Sequence, residues 1–70
     1  MIKIKLRELR ESRGLAQWEV GVVIRLDQGA VSRIERGKQE LLLSEAVLLA
    51  GYFCIPITDL YEVADESKNE

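Results

Sequence analysis

The chain has 70 residues, of which 47% are apolar, 31% charged and 6% aromatic. That is the balance of one small globular domain, not of a disordered or collagen-like polymer. With no His and a single Cys it has no means of building a thiolate–imidazole zinc cluster, an internal disulfide, a Ser-His-Asp triad or a Cys-His pair. The net charge is −2, but it is divided: residues 1–38 carry +4 and residues 39–70 carry −6. Such a division offers one face to an anion; the plainer reading is a basic helix and an acidic tail, both solvated. No apolar run approaches the roughly 20 residues of a membrane span, and no signal peptide opens the chain. With the lone Cys this points to the cytoplasm. No metal and no cofactor is expected.

The opening Ile2-Lys3-Ile4-Lys5 alternates with period two, which favours a short strand. Leu6 and Leu9 then start a helix that runs to about Arg13 and closes at Gly14. A second helix spans 17–25, with Val20, Gly21 and Ile24 on one face. Its stretch 20–24 is β-branched and would favour a strand in isolation; the neighbouring elements require a helix. Asp27 is the N-cap of a third helix, 28–36, whose Val31 and Ile34 face inward and which ends at Gly37. Leu43, Ala46, Val47 and Ala50 stand at i, i+3, i+4 and i+7 and predict the inner face of a fourth helix. Pro56 opens a fifth, short helix with Ile57, Leu60 and Tyr61 facing in. A domain over 1–64 and a polar tail over 65–70 complete the chain.

Two short helices joined by a tight turn, at 17–25 and 28–36, form a helix-turn-helix pattern. Four motifs make it specific: Arg7-Glu8-Leu9-Arg10, Gly14-Leu15-Ala16-Gln17, Val31-Ser32-Arg33-Ile34-Glu35-Arg36-Gly37-Lys38, and Pro56-Ile57-Thr58-Asp59-Leu60-Tyr61. In this order and spacing the chain resembles the phage-repressor and Cro-like helix-turn-helix proteins, the XRE family, over about residues 3–62. The resemblance implies an all-α, compact five-helix domain of the lambda-repressor-like type that binds double-stranded DNA, usually as a homodimer. The third helix would enter the major groove. Both ends also resemble a compact branch of the family in which short terminal strands pair.

Residue by residue, the resemblance implies that Gln17 donates to a backbone phosphate at the start of the second helix. Gln28 is the first reading residue; its planar amide suits adenine N6 and N7. Ser32 and Arg33 follow one turn on, with Arg33 reaching a guanine edge or a phosphate, or else standing solvated. Arg36 and Lys38 suit phosphates near the helix exit. Arg10 and Glu35 match a structural ion pair between the first and third helices, so loss of either harms the fold first.

Several residues depart from the family pattern. Ala16 replaces a Ser or Thr N-cap, Gly21 a small Ala, and Arg25 a Gly that takes a left-handed conformation in the turn; Arg25 either adopts that conformation at some cost or the turn differs. Gly29 sits at a reading position without a side chain to offer; it lowers specificity or admits close backbone approach. Trp18, Val22 and Val23 make an apolar stripe where polar residues are usual. A terminus or a second subunit covers it, or Trp18 rests on a sugar-phosphate edge. Leu41 and Leu42, with Ile55 and Ile57, lie at the family's expected dimer contact; the alternative is that they thicken the core around Leu43. Cys54 reads as a buried small hydrophobe.

The leading functional reading is a cytoplasmic transcriptional regulator, most simply a repressor on a pseudo-palindromic operator. The alternative is a protein-interaction module on the same fold, or an antitoxin-like protein that binds both a partner and DNA. An enzyme is not expected, because no carboxylate pair, metal set or phosphate loop stands in the sequence.

Overall fold

The period-two alternation runs on through Leu6 and Arg7, but the strand it predicts stops at Ile4 and Leu6 already opens a helix. The computed structural model describes residues 2–63. Strand β1, Ile2–Ile4, is followed by helix α1, Leu6–Ser12. Helices α2, Gln17–Ile24, α3, Gln28–Glu35, and α4, Leu43–Phe53, follow in turn. A single 3-10 turn, Ile57–Leu60, then leads into strand β2, Tyr61–Val63. β2 lies antiparallel to β1, with Ile2 opposite Val63, Lys3 opposite Glu62 and Ile4 opposite Tyr61. The Lys5 amide donates to the Leu60 carbonyl at 2.7 Å and extends the closure. The pairing of the two ends read from the sequence is therefore present. The boundary at residue 64 and the tail at 65–70 lie outside the described residues.

Leu6, Val20, Val31, Ile34, Leu49 and Leu60 are buried to within 1% exposure and form the centre of the core. Each helix contributes to it with the face its sequence period sets, except α4. There the buried residues are Ala46, Leu49, Ala50 and Phe53, whereas Leu43 is 74% and Val47 55% exposed. This corrects the expected inner face. The spacing i, i+3, i+4, i+7 occurs in α4 from Leu43 and again from Ala46, because the helix is apolar nearly all round. Period alone selects neither; packing against the rest of the domain selects the second.

Three smaller corrections follow. The fifth helix is only the 3-10 turn, and Tyr61 is already extended at φ −128°, ψ 155°. β1 offers Tyr61 a strand partner, so the chain leaves helical geometry there. Cys54 is exposed, not buried: it caps α4 in a left-handed conformation, φ 60°, which turns it away from the core. Val23 is half-buried against the core and does not belong to the exposed stripe, which holds Trp18 and Val22.

The ends of the helices show how local sequence is reconciled with the fold. Ala16 gives α2 no side-chain cap, but the Glu19 carboxylate accepts from the Ala16 amide at 2.7 Å and so satisfies one donor at the helix start. Arg25 ends α2 in the left-handed region, φ 62°, as the family's glycine would. Arg13 reaches the far end of α4: its Nη2 donates to the Phe53 carbonyl at 3.3 Å, and its guanidinium stands 4.6 Å from the Phe53 ring centroid.

Gly21 marks the closest approach in the helix-turn-helix. A β-carbon there would run into the Leu26 carbonyl oxygen, with Val31 Cγ2 also within van der Waals reach. The turn can fold this tightly because position 21 lacks a side chain. Gly21→Ala is therefore expected to destabilise the domain by about 1–3 kcal/mol despite the better helix propensity of alanine. Thermal unfolding followed by circular dichroism checks this; a Tm equal to or above that of the parent would show that the turn yields without cost.

Candidate nucleic-acid interface

Helix α3 begins at Asp27, whose Oδ1 accepts from the Ala30 amide at 2.8 Å and fixes the first turn. Its inner face, Ala30, Val31 and Ile34, is buried. The opposite face therefore points to solvent: Gln28, Gly29, Arg33 and Arg36 are exposed and Ser32 is half-buried. Gly37, at φ 77°, ends the helix and turns the chain so that Lys38 is also exposed. No other described element covers this face.

The acid on this helix is turned away from it. Glu35 keeps only 3% of its side-chain exposure, and Arg10 Nε donates to its Oε2 at 2.6 Å. Arg10 Nη2 donates to Glu35 Oε1 at 3.3 Å and Arg10 Nη1 to the Leu15 carbonyl at 2.9 Å. One guanidinium thus ties α1, the following loop and α3 together. The Glu35 hydrogen bond raises the Arg10 pKa above its ordinary value; burial opposes this, and the charges of Glu35 and Glu11 add to it. A cation whose pKa rises on folding contributes fully below its unfolded pKa and loses that contribution only above the folded one. Arg10 therefore stays charged through the neutral range and adds no pH dependence there.

The network continues to the reading face. Gln17 Nε2 donates to Glu35 Oε1 at 3.0 Å, and Gln17 Oε1 accepts from Gln28 Nε2 at 3.5 Å, the long limit of a hydrogen bond. Of the two Gln17 amide protons, one is directed to Glu35 and the other remains for an outside acceptor. The structure thus joins four residues singled out from the sequence, Arg10, Glu35, Gln17 and Gln28, into one chain from the interior to the surface. Arg36 Nε donates to the Ser32 carbonyl at 3.3 Å, and its guanidinium remains exposed.

Other candidates are placed separately. Trp18 is 59% and Val22 68% exposed on α2, and no described residue buries them. Leu41, Ile55 and Ile57 are half-buried against the core, whereas Leu42 is 61% exposed. Two residues that the sequence reading passed over have clear roles. Gln39 Oε1 accepts from Arg33 Nε at 2.9 Å, and Arg13 caps α4. A polar residue after Gly37-Lys38 gives no local signal that it will reach back to α3. No helix among the described residues is long and apolar enough to cross a membrane, and these residues hold no group of three side chains that could bind a metal ion.

An uncovered, cation-bearing second helix in a tight helix-turn-helix defines a DNA-binding domain by class. A helix-turn-helix family model matches residues 6–60, and the chain belongs to that family, of the XRE type, whose members are DNA-binding transcription regulators. Among solved structures the chain is similar to the restriction-modification controller protein C.AhdI from Aeromonas hydrophila. The two share 34% identity and a TM-score of 0.70 over 79% of this chain and 80% of that one. It is also similar in fold to a transcriptional regulator from Listeria innocua, at 20% identity and a TM-score of 0.76, covering 91% of this chain and 64% of that chain. No curated protein matches the sequence.

The buried carboxylate makes the Arg10–Glu35 pair asymmetric under mutation. Arg10→Met leaves Glu35 enclosed without its cation and should cost about 3 kcal/mol, the low end for a buried pair because Arg10 keeps 12% of its exposure. The double variant Arg10→Met with Glu35→Leu should recover most of that stability. Denaturant titration of the parent and both variants tests this; equal loss in single and double variants would show that no charge is being compensated.

Proposed function

We propose that this chain is a cytoplasmic regulator that binds a pseudo-palindromic operator as a homodimer and represses transcription, with α3 seated in the major groove. The observation that carries the reading is the composition of the open α3 face. Arg33, Arg36 and Lys38 stand exposed on it or at its exit, while its one internal acid, Glu35, is directed inward to Arg10. A phosphate-lined groove meets three cations there, with the exposed Asp27 carboxylate at the helix start beside them. Gln28 opens the helix and is the residue for adenine. Gln17, held by Glu35, offers its second amide proton to a phosphate. Ser32 supports the same face. Leu41 and Leu42 with Ile55 and Ile57 form the dimer contact, and the exposed Leu42 is its natural centre. The similarity to a restriction-modification controller protein supports the regulatory reading.

A second reading rests on Trp18 and Val22. Their exposure on α2 suits a protein partner beside the DNA face, as in an antitoxin-like protein. DNA binding and partner binding would then share the domain.

Selection of bound sequences from a random DNA pool at near-physiological salt is the direct test. Gln28→Ala should cost about 1–3 kcal/mol at one base position of each half-site. Replacing Arg36 and Lys38 together with alanine should weaken binding to all sequences and reduce the salt slope by about one per lost phosphate contact. Equal changes of sequence preference in both variants would overturn this division of roles. Recovery of no preferred sequence by the parent, with binding absent even at low salt, would leave the partner-binding reading.

A further inference from the structure

Gly29 has no local reason to be glycine. It is the second residue of α3, its φ is not positive, and it is exposed. Glycine weakens a helix relative to alanine. A β-carbon at this position would meet only two atoms, Arg33 Nη1 at 3.5 Å and Asp27 Oδ1 at 3.7 Å, both at ordinary contact distance. The space beyond that β-carbon is thus bordered by the guanidinium of Arg33. Helical side chains lean toward the N-terminus, which brings residue 33 back over residue 29. At its other side the guanidinium is held by the loop after α3, where Gln39 Oε1 accepts from Arg33 Nε. Among the described residues no hydrogen bond engages Arg33 Nη1 or Nη2. Two free, coplanar donors on an anchored fork fit the O6 and N7 acceptors of guanine.

We infer that Gly29 and Gln39 are specificity-determining positioning residues: together they lay the Arg33 fork along the first turn of α3, so that Arg33 reads a guanine at the place where residue 29 offers no side chain. The inference rests on the operator reading above. A side chain longer than alanine at position 29 enters the space bordering Nη1 and displaces the fork. Loss of Gln39 frees the guanidinium to swing toward backbone phosphates, which carry no sequence information.

The experiment is selection from a random DNA pool, followed by salt titrations on the selected site and on its guanine-substituted counterpart. It uses the full chain and the variants Arg33→Ala, Gly29→Ala, Gly29→Gln, Gln39→Ala and Gly29→Gln/Arg33→Ala. The parent is expected to prefer guanine at one half-site position by about 5- to 150-fold, the range of a bidentate base contact. Arg33→Ala and Gly29→Gln should both abolish that preference, and the double variant should lose nothing further. Gly29→Ala should retain it and melt at a higher temperature than the parent. Gln39→Ala should reduce the preference while leaving salt-dependent binding to unrelated DNA intact. Persistence of the guanine in Gly29→Gln and Gln39→Ala would overturn the inference, as would its loss in Gly29→Ala, which would point to backbone approach instead. A parent that selects no sequence would overturn the operator reading and this inference with it; a parent that selects a site whose preferences ignore Gly29 and Gln39 overturns this inference alone.

Discussion

A carboxylate with 3% of its side chain exposed must be answered by a cation and by hydrogen bonds, or the fold around it fails. Glu35 is that carboxylate, and Arg10 answers it with two donors while a third goes to the Leu15 carbonyl. The requirement fixes α1 against α3 and the intervening loop against both. It also places Gln17 of α2 on the same carboxylate oxygen, and Gln28 against Gln17. The orientation of the outer face of α3 is therefore set by a polar contact on its inner side. The same contact removes the acid of α3 from the surface, which leaves that face to Arg33 and Arg36.

The helix-turn-helix turn depends on a second constraint, the space at Gly21. The Leu26 carbonyl occupies the place of a side chain, and Arg25 accepts a left-handed backbone just before it. A non-glycine residue in that conformation carries a cost of order 1 kcal/mol, which the packing of Val20, Ile24, Val31 and Ile34 offsets. Position 21 gives up side-chain volume and position 25 accepts strain, and together they hold α3 close beneath α2. The short β1–β2 ribbon then joins the two ends of the described chain, with Ile4 and Tyr61 packed against the core.

In the proposed operator complex, affinity and specificity fall to different residues on the surface that results. Arg36 and Lys38 carry exposed charges suited to phosphates, where exact geometry matters little. Arg33 and Gln28 are held by partners, Gln39 and Gln17, and a held donor loses less freedom when it meets a base. The inference drawn for Gly29 places it with this second group, beside the Arg33 guanidinium.

Much of this was legible in the sequence. The helices expected at 17–25 and 28–36, each one residue shorter in the structure, the Asp27 cap, the Gly37 stop, the terminal strands and the Arg10–Glu35 pair all follow from local chemistry or from motif resemblance. These features are encoded within a few residues or by charged partners that have few alternatives. What the chain could not declare by itself were choices among equivalent local options. α4 is apolar on nearly every side, so only its packing against the domain decided that Leu49 and Phe53 are buried and Leu43 and Val47 are not. Tyr61 became a strand because β1, more than fifty residues earlier, offered it hydrogen bonds. Cys54 was turned to solvent by the left-handed end of α4. Gln39 acquired a role only when the loop returned it to Arg33. Sequence determines propensity and period within a segment; which face is buried, and which distant side chains meet, is decided by the free energy of the whole packed domain.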